Sequence, residues 1–146
     1  MLSIVDELTE RLDRQGSVIL TAPPGTGKTT LVPPALAEAQ HRTNGSTGRV
    51  ILVLPRRIAA RAAAARMAAN NGERAGQRFG YSVRGDRRVS ARTQVEAVTP
   101  GLLLRRLQGD PELSGISTVI LDEFHERSVD QDLLLALLLD TRDALR

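Results

Sequence analysis

The short stretches 17–21, 49–54 and 117–121 of this 146-residue chain each hold an unbroken run of Val, Ile and Leu, at 18–20, 50–54 and 119–121, bounded by polar or turn-forming residues. Short runs rich in Val, Ile and Leu, without polar–apolar alternation, are the pattern of strands buried on both faces of a parallel sheet. The segments between them read as helices. Ile4, Val5, Leu8 and Leu12 are spaced as one buried stripe of a helix over 4–15, ended by Gly16. Residues 29–40 predict a second helix, in which Pro33 and Pro34 lie too deep to be the first position and imply a kink or an irregular first turn. The polar stretch 41–48 predicts a surface loop, and the alanine-dense stretch 57–70 a helix closed by Asn71-Gly72.

Further on the pattern is mixed. Residues 79–84 and 93–98 alternate as half-exposed strands, with 85–88 as a turn between them. Thr99-Pro100-Gly101 predicts the start of a short helix over 102–108, with Pro100 suited to the first helical position, and 108–115 reads as a loop. Residues 133–139 are apolar almost all round and predict a core helix. Repeated strand–helix order implies an α/β fold: a parallel sheet with helices on both faces, in one domain over 1–146.

The candidate chemistry sits directly after two of the buried runs. Ala22-Pro23-Pro24-Gly25-Thr26-Gly27-Lys28-Thr29 follows the first. Gly25 and Gly27 allow a tight turn and close approach to an anion, while successive N–H groups and the following helix start supply partial positive charge. In such a phosphate loop Lys28 reaches the β- and γ-phosphates and Thr29 offers a hydroxyl to Mg²⁺, with Pro24, Thr26 and Thr30 completing the cradle. Ala22 stands where the usual pattern has glycine. Asp122-Glu123-Phe124-His125-Glu126-Arg127 follows the third run, so its acids are expected at the same sheet edge. Asp122 suits Mg²⁺, and Glu123 suits the work of orienting and deprotonating an attacking water.

Composition sharpens this picture. Lys28 is the one lysine among 20 basic residues, kept where a compact ammonium suits a phosphate oxygen. The arginines bunch at Arg56-Arg57, Arg61, Arg66, Arg84, Arg87-Arg88, Arg92 and Arg105-Arg106, although the formal charge is only +3. Such bunching could serve phosphate backbones; Arg56-Arg57 could equally be a solvated helix start. With Phe79, Tyr81 and Phe124 the only aromatics, a base-stacking platform is not expected, and any nucleic acid would be gripped by its backbone. Cysteine is absent, which excludes disulfides and thiol chemistry, and two distant histidines, His41 and His125, do not make a zinc site. No membrane-length apolar run or leader-like N-terminus is present, so a cytoplasmic protein is the expectation.

Together the two poles resemble the DEAH-box ATP-dependent helicases of superfamily 2, and within them the bacterial HrpB type. Residues 22–29 resemble motif I, with its Ala at the first position; Leu54-Pro55-Arg56-Arg57-Ile58-Ala59-Ala60 resembles motif Ia; Gly80-Tyr81-Ser82-Val83-Arg84 resembles the family's Gly-Tyr-x-Val-Arg strand; Thr99-Pro100-Gly101 resembles motif Ib. Residues 122–127 resemble motif II, with Phe124 in place of the usual Ala, as in the HrpB type. The resemblance implies a P-loop NTPase of RecA-like fold that binds ATP and Mg²⁺. It implies that Arg56, Arg57, Thr99 and Gly101 contact the phosphates of single-stranded RNA, with DNA as the second option. It further implies that Lys28, Thr29, Asp122, Glu123 and His125 carry ATP hydrolysis. The sequence ends at Arg146, before any Ser-Ala-Thr motif III, so it is expected to be the first motor domain without its second RecA-like partner, binding ATP weakly and turning it over slowly alone. A nucleotide-dependent switch, or an RNA-binding module without unwinding activity, is the alternative reading.

Overall fold

The computed structural model describes residues 28–44, 48–122, 133–134 and 136–138. The expected helix over 4–15, the run 17–21, and residues 22–27 and 123–132 lie outside the described residues. In chain order the elements are α1 (Lys28–Asn44), β1 (Arg49–Val53), α2 (Arg57–Asn70), β2 (Phe79–Val83), β3 (Asp86–Arg88), β4 (Val95–Val98), α3 (Pro100–Gly109) and β5 (Ile116–Leu121). The strands form one sheet in the order β3-β2-β4-β1-β5. All neighbours are parallel except β3, which returns antiparallel along β2.

Strand β1 lies between β4 and β5, and from Val50 to Val53 its side chains are apolar on both faces. Val50, Leu52 and the following Leu54 pack with Ala37 of α1, with Ala63, Met67 and Ala68 of α2, and with Phe79 and Val95. Ile51 and Val53 face the other way and pack with Val98, with Leu103 and Leu107 of α3, and with Leu113 and Leu134. Each fully buried Val, Ile or Leu of this strand contributes about 2 kcal/mol of burial free energy. Helices therefore cover both faces, as the strand–helix order implies.

Helix α2 follows its reading closely. Ala60, Ala63, Ala64, Met67 and Ala68 are buried at the i, i+3, i+4, i+7, i+8 spacing of a single stripe. Small side chains there let the helix axis lie close over β2 and β4, where Ala60 and Ala64 meet Tyr81, Val83 and Ala97. The stop is where the sequence puts it: the amides of Asn71 and Gly72 donate to the carbonyls of Ala68 and Ala69, and Gly72 takes φ +69°.

Several expectations are corrected. Helix α1 runs to Asn44, into the stretch read as a loop, and remains helical through Pro33 and Pro34. The two prolines lack only the amides that would reach the Thr29 and Thr30 carbonyls, and Val32, Leu36 and Ala39 still bury one face of the helix. Residues 86–88 are a strand, and the turn before them is Arg84-Gly85, with Gly85 at φ +82° as the third residue of a type II turn prefers. Strands β2 and β4 are buried throughout rather than half-exposed, because each lies inside the sheet, β2 between β3 and β4 and β4 between β2 and β1. Strand β5, read as fully buried, is half-buried along its length at the end of the described sheet. Of the described residues in the apolar run 133–139, Leu134 is buried but Leu133 is 48% and Leu137 36% exposed, so the run is not core on every side.

Candidate nucleotide and nucleic-acid edge

Parallel pairing sends the carboxyl ends of β2, β4, β1 and β5 to one edge. Two backbone hydrogen bonds beyond the ladder hold the exits together: Leu54 N–H donates to the Val98 carbonyl at 2.9 Å, and Asp122 N–H to the Val53 carbonyl at 3.0 Å. Residues 55–57, 99–101 and Asp122 are thereby brought side by side. Helix α1 starts at this edge too. Its Thr30 lines a groove with Leu54, whereas Gln40, ten residues later, meets the opening of β5, donating to Thr118 Oγ1 at 2.6 Å and accepting from Ser117 Oγ at 2.7 Å.

Three helices thus point their N-termini at one edge, and none carries an acidic residue in its first turn. Neither α2 nor α3 is capped by a side chain: Arg56 and Thr99 occupy the N-cap positions in extended conformation without a capping hydrogen bond. Pro100 has no N–H, the amides of Gly101 and Leu102 precede the first helical bond, and Leu103 N–H makes that bond to the Thr99 carbonyl at 3.2 Å. Uncapped, acid-free helix starts favour anions. Arg56 and Arg57 are exposed beside them, and Ile58 is 79% exposed.

Lys28 and Thr29 are the first two residues of α1; their side chains are outside what the structure describes. Thr30 is half-buried at the mouth of an open groove of about 670 Å³ between α1 and α2, whose walls include Ala59, Ala62, Ala63 and Arg66. Asp122 is 6% exposed at the end of β5. Thr99 and Gly101 are half-buried at the start of α3. Pro24, Gly25, Thr26, Gly27, Glu123 and His125 lie outside the described residues.

The hairpin beside this edge is tied down by charge. Arg61 of α2 meets Asp86 Oδ2 at 3.2 Å, and the Tyr81 hydroxyl donates to the same oxygen at 2.8 Å. The Tyr81 hydrogen bond, with help from Arg61, holds the Asp86 carboxyl below the usual carboxylate range against the opposing effect of burial.

One residue the sequence reading passed over is Glu96. It stands in the middle of β4, fully buried. Arg106 of α3 donates from Nη1 to Oε1 at 3.0 Å and from Nη2 to Oε2 at 2.6 Å; Arg49 Nη1 donates to Oε1 at 2.9 Å; Ser82 donates to Oε2. Burial by itself pushes the Glu96 carboxyl up, but the hydrogen bonds from Arg106 and Ser82, the Arg106 charge and Arg49 outweigh it and hold the group at about 2. The available signal was a lone acid inside an apolar strand in an arginine-rich chain.

A mostly parallel sheet with helices on both faces, with helix starts and a buried aspartate at its carboxyl edge, defines an α/β domain of the kind that binds ligands at that edge. The chain belongs to the DEAD/DEAH box helicase family, whose model matches residues 3–141. It is 47% identical over 144 residues to the ATP-dependent RNA helicase HrpB of Escherichia coli (strain K12), covering 99% of this chain and 17% of that protein. It is also 38% identical over 135 residues to the ATP-dependent RNA helicase DEAH13 of Arabidopsis thaliana, covering 90% of this chain and 11% of that one. The crystal structure of the E. coli DEAH/RHA helicase HrpB superposes with a TM-score of 0.88 at 46% identity, over 98% of this chain and 18% of that chain. The fold is accordingly RecA-like. The chain spans less than a fifth of the length of these relatives.

Proposed function

We propose that this chain is the first motor domain of an ATP-dependent RNA helicase, binding ATP·Mg²⁺ through its phosphate loop and the backbone of single-stranded RNA across the carboxyl edge of its sheet. The observation that carries the reading is the convergence there of three acid-free helix starts, the exposed Arg56-Arg57 pair and buried Asp122. The names of the relatives, RNA helicases from E. coli and Arabidopsis, support RNA over DNA.

In this reading Pro24, Gly25, Thr26, Gly27 and Thr30 wrap the phosphates, and Lys28 neutralises the β- and γ-phosphate oxygens. Asp122 fits a hard cation: it is a carboxylate held at a strand end by its own backbone hydrogen bond to Val53. Asp122 and Thr29 would hold Mg²⁺, which when bound offsets charge developing on the phosphates. Glu123 orients and deprotonates the attacking water, and His125 links that side of the site to a neighbouring element. Arg56, Arg57 and the helix start at Thr99–Gly101 grip phosphates without reading bases. Among the described residues no helix is long and apolar enough to cross a membrane; a cytoplasmic location belongs to the proposal.

A complete motor requires more than these residues. A second RecA-like domain in the full-length protein would supply arginines to the γ-phosphate, a contribution worth about 10³ to 10⁵ in rate where such fingers act. The test is nucleotide and homopolymer titration of the full-length protein carrying Glu123→Gln. Retained affinity for both ligands with turnover reduced about 100-fold or more is expected. Normal hydrolysis would remove Glu123 from the role of base, and normal hydrolysis without RNA affinity would favour the switch reading.

A further inference from the structure

The charged cluster under α3 is more than packing requires. A central position of a parallel strand ordinarily takes Val or Ile, yet β4 places Glu96 there with no side-chain exposure. An ion cluster of this kind contributes little stability beyond what a well-packed apolar set would give. What it supplies is geometry. The Arg106 guanidinium meets both carboxylate oxygens, at 3.0 and 2.6 Å, and a two-pronged pair accepts one orientation of helix against strand where Leu103 and Leu107 alone would tolerate several. Arg49 holds the carboxylate from the other side and is itself fixed by the carbonyls of Thr93 and Ser90, both at 3.2 Å.

The placement of the two partners along the chain gives the clamp its consequence. Glu96 lies three residues before Thr99, and Arg106 lies in the last turn of α3. The chain leaves β4, turns through Thr99-Pro100-Gly101 into α3, and is then fastened back onto the strand it left. The segment between the two fastening points is the uncapped helix start at the carboxyl edge. Any rotation of α3 that redirected the Gly101 and Leu102 amides would have to break the Arg106 fork.

We infer that Glu96 and Arg106 are positioning residues for strand binding, a clamp that fixes the rotation of α3 and so aims the Thr99–Gly101 helix start at a nucleic-acid phosphate. This rests on the reading of the carboxyl edge as the RNA track. In this account both act through α3: Glu96 is buried and anionic, and the Arg106 guanidinium is occupied by the fork.

The test uses the full-length protein and a single-stranded homopolymer RNA, with binding followed by anisotropy over a range of salt, beside thermal unfolding and the KM for ATP. Two variants are compared with wild type: the double Glu96→Met/Arg106→Met, which replaces the fork by apolar side chains and leaves Arg49 on the Thr93 and Ser90 carbonyls, and Arg106→Lys, which keeps the charge but loses the fork. Both are expected to bind RNA about tenfold more weakly, a loss equivalent to about 1.4 kcal/mol. The slope of log affinity against log salt should be unchanged, and the KM for ATP should stay within about twofold of wild type. Wild-type affinity in either variant overturns the inference. So does a salt slope lowered by about 0.7, which would make Arg106 a direct phosphate contact, and so does a loss of affinity that merely tracks a falling folded fraction. A wild-type protein that fails to bind RNA overturns the edge reading and, with it, the inference; variants that match an RNA-binding wild type overturn the clamp alone.

Discussion

Glu96 shows what a single side chain can hide and what it should reveal in solution. Its folded pKa of about 2 lies below the ordinary 4.5. The ionised cluster therefore stabilises the fold fully above about pH 4.5, and its contribution, a few kcal/mol, is lost as pH falls toward 2. Urea unfolding across about pH 5 to pH 3 should show wild type losing more stability than Glu96→Gln over the same interval, since the amide has no proton to gain. Parallel losses in the two proteins would mean that the carboxylate does not carry this linkage. At the same scale, legibility in the sequence was uneven. Lys28 could be singled out because it is the one lysine, and Asp122 because it ends a buried apolar run. Glu96 could not, because alternation within Val95-Glu96-Ala97-Val98 reads as a half-exposed strand, and the partners that neutralise it come from Arg49, Ser82 and Arg106, remote along the chain.

The elements followed the sequence where one local rule decided the outcome. The apolar run Val50–Val53 of β1, the alanine stripe and Asn71-Gly72 stop of α2, and Pro100 opening α3 are each set by nearest neighbours. The hairpin was misread because strand order is not local: β2 pairs β3 on one side and β4 on the other, which buries both β2 and β4. Gly80 marks this crowding. A Cβ at that position would overlap the Arg88 carbonyl oxygen and press on Val89, and a backbone oxygen next to a paired strand has little room to give. Gly80→Ala is expected to cost about 2 kcal/mol and to lower the melting temperature, by the usual penalty of overpacking. Gly109→Ala, where a Cβ meets nothing within 4 Å at the end of α3, serves as the control and should leave the melting temperature unchanged or slightly higher. Equal behaviour of the two variants would mean that β3 does not lie against Gly80.

At the scale of the whole molecule, the sheet acts as a sorting device. Parallel pairing delivers the segment after each described parallel strand to one edge, so Arg57, Thr99 and Asp122, far apart in sequence, meet there, and α1 begins at the same edge. The strand–helix order implied this parallel architecture, and the fold shared with HrpB agrees with it. The central claim is that this edge couples ATP to a single strand. Its most direct measurement is steady-state phosphate release by the full-length protein, with and without single-stranded homopolymer RNA, wild type beside Lys28→Ala. RNA should accelerate wild-type turnover, and Lys28→Ala should reduce it about 100-fold or more in both conditions, because a charge aimed at the transferring phosphate is gone. Turnover indifferent to RNA in wild type, or undiminished in Lys28→Ala, would contradict the account.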